Sequence, residues 1–125
     1  MAPIILADTS VLIGLQRGQT SIIRTFSKLY PRLRISRISA CEFIYGSRSN
    51  EEKEINQQFF HSLPILELNT EISITAYQLM DEYTLSTHLG VADALIAATT
   101  IVYRGVLWTE NLKHFSKIKS LNLYH

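Results

Sequence analysis

The sequence predicts a three-layer α/β/α domain built on a central parallel sheet of about five short strands. Two observations carry that prediction. Short apolar runs of three or four residues recur along the chain, and each is separated from the next by stretches with helical periodicity. Strands that alternate with helices pair in parallel through right-handed crossovers and take helices on both faces of the sheet. The chain has 125 residues, 46% of them hydrophobic, and no compositional break, which reads as one domain over 1–125 with enough apolar surface for a core.

The elements follow in order. Ile4–Ala7 is a buried strand that runs into Asp8-Thr9-Ser10, a turn and helix start. Helical stretches follow over Val11–Gln16 and Thr20–Leu29, with Gly14 and Gly18 as punctuation, and Pro31 closes that region. Leu33–Ser36 is the second strand, Ile38–Tyr45 a helix stopped by Gly46, and Glu51–His61 a polar-faced helix with Ile55 and Phe59 four apart. After Pro64, Ile65–Leu68 is the third strand. Asn69 or Thr70 caps a long helix to about Ser86, whose Ile72, Ala76, Leu79, Met80 and Tyr83 share one face. A small-residue helix from about Val91 to Tyr103 ends at Gly105, and Val106–Trp108 and Leu121–Leu123 are the last two strands.

Composition narrows the function without choosing it. One cysteine, Cys41, rules out an internal disulfide framework, and no Cys/His spacing suggests zinc. No basic-then-apolar leader opens the chain, and the longest apolar run, around Asp93, is too short to span a bilayer. A cytoplasmic protein without a membrane role is expected. Net charge is +1 but uneven: residues 1–50 carry seven basic and two acidic side chains, net +5, and the remainder five basic and nine acidic, net −4. A basic half beside an acidic site suits a polyanionic substrate, although solvated surface arginines explain the same bias.

Three acids stand where turns meet helices: Asp8, Glu42 and Asp93. In open parallel sheets ligands bind beyond the carboxyl ends of the strands, and all three acids can face that rim. Carboxylates gathered without a basic partner call for a divalent cation or a shared proton. Each acid also has a local reading. Asp8 and Asp93 can cap the helices they open, and Ser39 with Glu42 matches a capping box. Ser36 is an equally good cap, which would leave Glu42 nearly two turns into a helix among Cys41, Phe43, Ile44 and Tyr45.

Taken together and in order, Asp8-Thr9-Ser10 after an apolar strand, Ser39 and Glu42 followed by Gly46, Asp93 to Thr99 (DALIAAT), and Thr109, Asn111, His114 and Phe115 resemble the PIN-domain ribonucleases, and within them the VapC-type toxins of toxin–antitoxin pairs. The resemblance spans nearly the whole chain. It implies a PIN-like fold and a metal-dependent endoribonuclease in which Asp8, Glu42 and Asp93 hold Mg²⁺ or Mn²⁺. It also implies RNA as substrate, a small cognate antitoxin as partner, and a homodimer. Many relatives carry an aspartate at or near the position of Asn111, so this chain brings an amide where the family's fuller pattern has a fourth acid. Thr109 is expected to orient a carboxylate through its hydroxyl, and His114 to pack beside Phe115. Arg17, Arg37, Arg48 and Lys113, nearest in sequence to these elements, are candidates for phosphate contacts. Two other classes stay open: a metal-dependent phosphatase, which also places an aspartate after its first strand, and a binding module on a degenerate nuclease scaffold.

Overall fold

The computed structural model describes residues 2–125. In chain order the elements are β1 Ile5–Ala7, α1 Thr9–Gln16, α2 Thr20–Leu29, a 3₁₀ turn at Tyr30–Arg32, β2 Leu33–Ser36, α3 Arg37–Tyr45, α4 Asn50–His61, β3 Ile65–Leu66, α5 Thr70–Thr87, α6 Val91–Val102, β4 Val106–Trp108 and α7 Leu112–Phe115. The four strands form one sheet in the order β3-β2-β1-β4, and every pairing is parallel.

Strand periodicity sorts the core into two halves, because successive side chains leave a strand on opposite faces. Ile5 and Ala7 join Val11, Leu12, Leu33, Ile35, Phe43 and Phe60 in a cluster under α1 to α4. Leu6 points the other way, into Ile72, Ala76, Leu79, Ile96, Ala97 and Phe115 under α5, α6 and α7. Trp108 and Leu107 of β4 divide between the same two clusters. The result is the expected three-layer sandwich. Ala94, Ala97 and Ala98 are fully buried, so α6 lies close against the sheet, and the buried Thr99 and Thr100 hydroxyls are satisfied by donating to the carbonyls of Leu95 and Ile96 at 2.7 and 3.0 Å.

Two glycines allow close approaches. A Cβ on Gly105 would stand 2.9 Å from the Ile4 carbonyl oxygen, where β4 enters beside β1, and a Cβ on Gly14 would meet Ile22 Cδ1 at 2.2 Å, where α2 folds back on α1. Helix starts are satisfied by side chains at Ser36, Ser49 and Asn69, which accept from the amides of Ile38, Glu52 and Ile72 at 3.2, 3.1 and 2.9 Å.

The sheet has four strands rather than about five. The expected strand at Leu121–Leu123 is reduced to one parallel bridge between Leu107 and Leu123, held by Leu107 N donating to Asn122 O and Tyr124 N donating to Leu107 O, each at 2.8 Å. With its ring against Trp108, Tyr124 turns the chain end onto the core before a longer ladder forms. The third strand is two residues instead of four, because Glu67 leaves the sheet to pair with Arg37.

Candidate active site

The strand order brings the site together. From β1 the chain moves to β2 and β3 on one side, then returns past β1 to β4 on the other, with its helices changing face. Between β1 and β4 lies the topological switch point, where a crevice opens beyond the strand ends. Asp8 follows β1 directly and Thr109 follows β4, and the Asp8 amide donates to the Trp108 carbonyl at 2.9 Å. A cavity of about 200 Å³ at that point is lined by Asp8, Thr9, Ser10, Ile13, Glu42, Asp93, Asn111 and His114.

Asp8 is only 3% exposed and occupies the N-cap position of α1, yet its side chain caps nothing. Its Oδ2 instead accepts from the hydroxyls of Ser10 and Thr109, both at 2.7 Å. Those hydroxyls in turn accept from backbone amides, Ser10 from Glu110 at 3.0 Å and Thr109 from Asn111 at 2.9 Å. One carboxylate oxygen is therefore committed to a network that pins the loop carrying Asn111. Oδ1 makes no hydrogen bond among the described residues, and since no buried polar atom is left unpaired there, it meets the solvent of the cavity.

Glu42 comes from the middle of α3, because Ser36 and not Ser39 caps that helix. Ser39 is fully buried beneath it. Thr9 Oγ1 donates to Glu42 Oε1 at 2.6 Å, and its only hydrogen is thereby used, so the 2.8 Å contact with Ser39 has the serine as donor. Burial pushes the Glu42 carboxyl above the ordinary range; the Thr9 bond opposes that rise, while the Asp8 and Asp93 charges add to it. Asp93 lies in the first turn of α6, whose N-cap is Gly90. Its carboxyl is also raised, first by burial and then by Asp8, with His114 pulling the other way.

His114 lies beside Phe115 as expected, ring centroids 6.4 Å apart, but sequence reasoning missed its second contact: Nδ1 is 3.3 Å from Asp93 Oδ2 on the cavity wall. Nothing in a four-residue helix of sequence LKHF announces that contact; it depends on α7 landing beside the start of α6. Thr9, Ser10 and Ser39 were visible only as parts of motifs or as caps. Glu110 is exposed and not part of the lining, whereas Asn111 is. Among the basic candidates, Arg17 and Arg48 line an adjoining cavity that shares Thr9, Ile13 and Glu42 with the first. Arg37 is not brought to the site: its guanidinium pairs with Glu67, Nε to Oε1 at 2.9 Å, over a different hollow floored by Ala40, Phe60 and Ile65. Lys113 is exposed on α7 and outside the lining.

Among the described residues, no three His, Cys, Asp or Glu side chains close into a cage able to hold an ion by themselves. The donors are all oxygens on the cavity side of Asp8, Glu42, Asp93 and Asn111, and burial and mutual repulsion raise two of the carboxyls. That set fits a hard cation that keeps several waters, such as Mg²⁺ or Mn²⁺, better than a dehydrated one.

Comparison with known proteins agrees with this geometry. Residues 5–121 match the PIN domain family model. The chain is 32% identical to ribonuclease VapC1 of Methanocaldococcus jannaschii over 95% of its length and 84% of that protein, and 31% identical to ribonuclease VapC of Rickettsia bellii over 95% and 93%. Among solved structures it is similar to the DNA-bound VapBC of Salmonella typhimurium, with a TM-score of 0.81, 26% identity and coverage of 99% and 98%. It is likewise similar to VapBC2 of Rickettsia felis bound to a promoter DNA fragment, at 0.81, 25% and 97% of both chains. With its sheet order, its rim of acids and these matches taken together, the chain belongs to the PIN domain family, in its VapC branch.

Proposed function

We propose that the chain is a metal-dependent endoribonuclease acting as the toxin of a toxin–antitoxin pair. The observation that carries the reading is the meeting of Asp8, Glu42 and Asp93, from β1, α3 and α6, around one small cavity in which His114 is the one basic side chain. Relatives named ribonuclease VapC and the toxin–antitoxin complexes among the structural neighbours support extending nuclease activity and an antitoxin partner to this protein, and a homodimer is what the family resemblance implies.

Asp8 and Asp93 would hold Mg²⁺ or Mn²⁺ directly, with the Asn111 carbonyl as a neutral donor and Glu42 either ligating the ion or acting as base towards a bound water. When bound, such an ion lowers the pKa of a coordinated water and neutralises charge on the scissile phosphate. The chain's own residues do the rest. Ser10 and Thr109 fix Asp8 so that its free oxygen faces the cavity. Glu42, with its proton affinity raised, is suited to take a proton from the attacking water, and Thr9 holds its other oxygen in place. Arg17 and Arg48 stand where the continuing RNA backbone would run. In-line attack by water breaks the phosphorus bond to the ribose 3′-oxygen, which leaves 5′-phosphate and 3′-hydroxyl ends.

The test is to incubate the protein with total cellular RNA in Mg²⁺ or Mn²⁺ and again in EDTA, mapping new 5′ ends with Asp93→Asn alongside. Discrete metal-dependent cuts absent from the variant are expected. Products ending in 2′,3′-cyclic phosphate would overturn the water mechanism, and release of inorganic phosphate without strand cleavage would indicate a phosphatase.

A further inference from the structure

Beside the carboxylates lies a second cavity of about 530 Å³, bounded by the C-terminal turn of α1 and the junction of α3 with α4, and separated from the first only by Thr9, Ile13 and Glu42. We propose that this cavity seats the base of a nucleotide next to the cut, with Gln16 as the side chain that reads it. The inference rests on the nuclease reading and adds a specificity determinant to it.

Several observations converge. The cavity is amphipathic in the way an unstacked base requires, since single-stranded RNA is held by contacts to base faces and hydrogen bonds to base edges. Ile13 and Ile55 are 37% and 55% exposed on its walls and offer apolar surface to a ring. Gln16 offers an edge, and its orientation is determined. The buried Asn56 uses Nδ2 to donate to the Phe43 carbonyl at 3.1 Å and to Ser47 at 2.8 Å, so its Oδ1 faces Gln16, whose Nε2 donates to it at 2.9 Å. Gln16 is thereby held in place with its Oε1 and one N–H free of any partner among the described residues. A paired acceptor and donor of that kind is what a side-chain amide uses on a base edge.

Arg17 and Arg48 offer cations to a flanking phosphate on a lining that also carries the carboxylates of Glu42 and Glu52. Arg17 caps the end of α1 and has no ion-pair partner among the described residues, and Arg48, 88% exposed, meets only Glu52 at a long 3.4 Å. An exposed pair of that length is weak, so Arg48 is available to a phosphate. Base and flanking phosphate would then lie one nucleotide away from the carboxylates.

The experiment uses Asp93→Asn, which can hold RNA without cutting it, and measures its affinity for hexamers of oligoadenylate, oligocytidylate and oligouridylate in EDTA. The expected result is a spread of about tenfold between best and worst, the size of a hydrogen bond made or lost at the base edge. Adding Gln16→Ala should collapse that spread to about twofold, and Ile55→Ala, at an exposed position where folding is safe, should weaken all three. In the cleaving protein, Gln16→Ala should flatten base preference at one position beside the cut, read by sequencing product ends from a random RNA pool. Intact cleavage and RNA binding with an unchanged base ranking in Gln16→Ala would overturn this inference alone. Loss of antitoxin binding in Gln16→Ala with that same unchanged ranking would assign the cavity to the protein partner instead. A chain that neither cuts nor holds RNA would overturn the nuclease reading and this one with it.

Discussion

The two walls of the acidic cavity are built differently. On the sheet side, Asp8 is nearly inaccessible and accepts two short hydroxyl hydrogen bonds whose donors are themselves anchored to backbone amides. On the helix side, Glu42 and Asp93 are half-buried, each is held by one contact, and both carry a raised proton affinity. The sheet wall is a fixed template, and the helix wall is the part that would respond to the proposed cation. Rigidity comes from where strands end; responsiveness comes from carboxylates carried on helices, where burial and like charge can act on them.

The largest expected effect removes a charge from either wall. Asp8→Asn and Asp93→Asn should each lower metal-dependent cleavage by at least about a hundredfold, since each replaces an anionic ligand of the proposed ion by a neutral amide. Near-normal cleavage by either one would mean that the walls do not share an ion. Next come the supporting hydroxyls, where the walls should diverge. Thr109→Val leaves a buried carboxylate short of a charge-assisted bond and should cost about 1–3 kcal/mol in denaturant unfolding. Thr9→Val, next to a half-buried carboxylate, should cost less in stability, but it removes the contact that holds the Glu42 pKa down. The acid limb of the pH–rate profile should therefore move to higher pH. Equal stability losses with no shift in the profile would erase the distinction.

A smaller effect appears in melting curves. Both raised carboxyls bind protons more tightly in the folded chain than in the unfolded one. Their favourable contribution is complete below the ordinary carboxylate range near pH 4 and is lost as pH climbs through the raised values. In EDTA, the melting temperature should fall over that window by no more than a few degrees, given the solvent at the cavity mouth. Millimolar Mg²⁺ or Mn²⁺ should reverse the fall, because binding to the folded state alone raises its stability. The smallest change is Asn111→Asp, which adds the fourth acid that the family resemblance implies at or near this position. It should tighten divalent binding by calorimetry by roughly tenfold or less and lower the metal-free melting temperature slightly.

What was legible in the sequence follows the same division. Alternating apolar runs and helical stretches specify layers and strand faces, which is why Ile5, Leu6, Leu107 and Trp108 sort as a parallel sheet requires. The three acids were readable from their positions at strand ends and helix starts, whereas the cap of α3 stood open between Ser36 and Ser39 until the structure gave it to Ser36. Long-range side-chain pairings were not readable. The Glu67 contact that takes Arg37 away from the site, and the docking of α7 that sets His114 against Asp93, join segments whose relative placement no local pattern encodes. Strand lengths near the chain end failed for a related reason: Leu123 pairs only while Tyr124 has not yet turned onto Trp108.

The central place of β1 has a consequence in time. Ile5 pairs with Leu33 on one side and with Val106 on the other, and Asp8 takes one of its two hydroxyl donors from Thr109. A chain emerging from the ribosome therefore makes Asp8 101 residues before Thr109, whose hydroxyl helps to hold its carboxylate. Contacts so distant in sequence close late. A chain cut between Asp93 and Val106 keeps Asp8, Glu42 and Asp93 but lacks β4 and Thr109, so β1 loses one of its two neighbours and Asp8 one of its two hydroxyl donors.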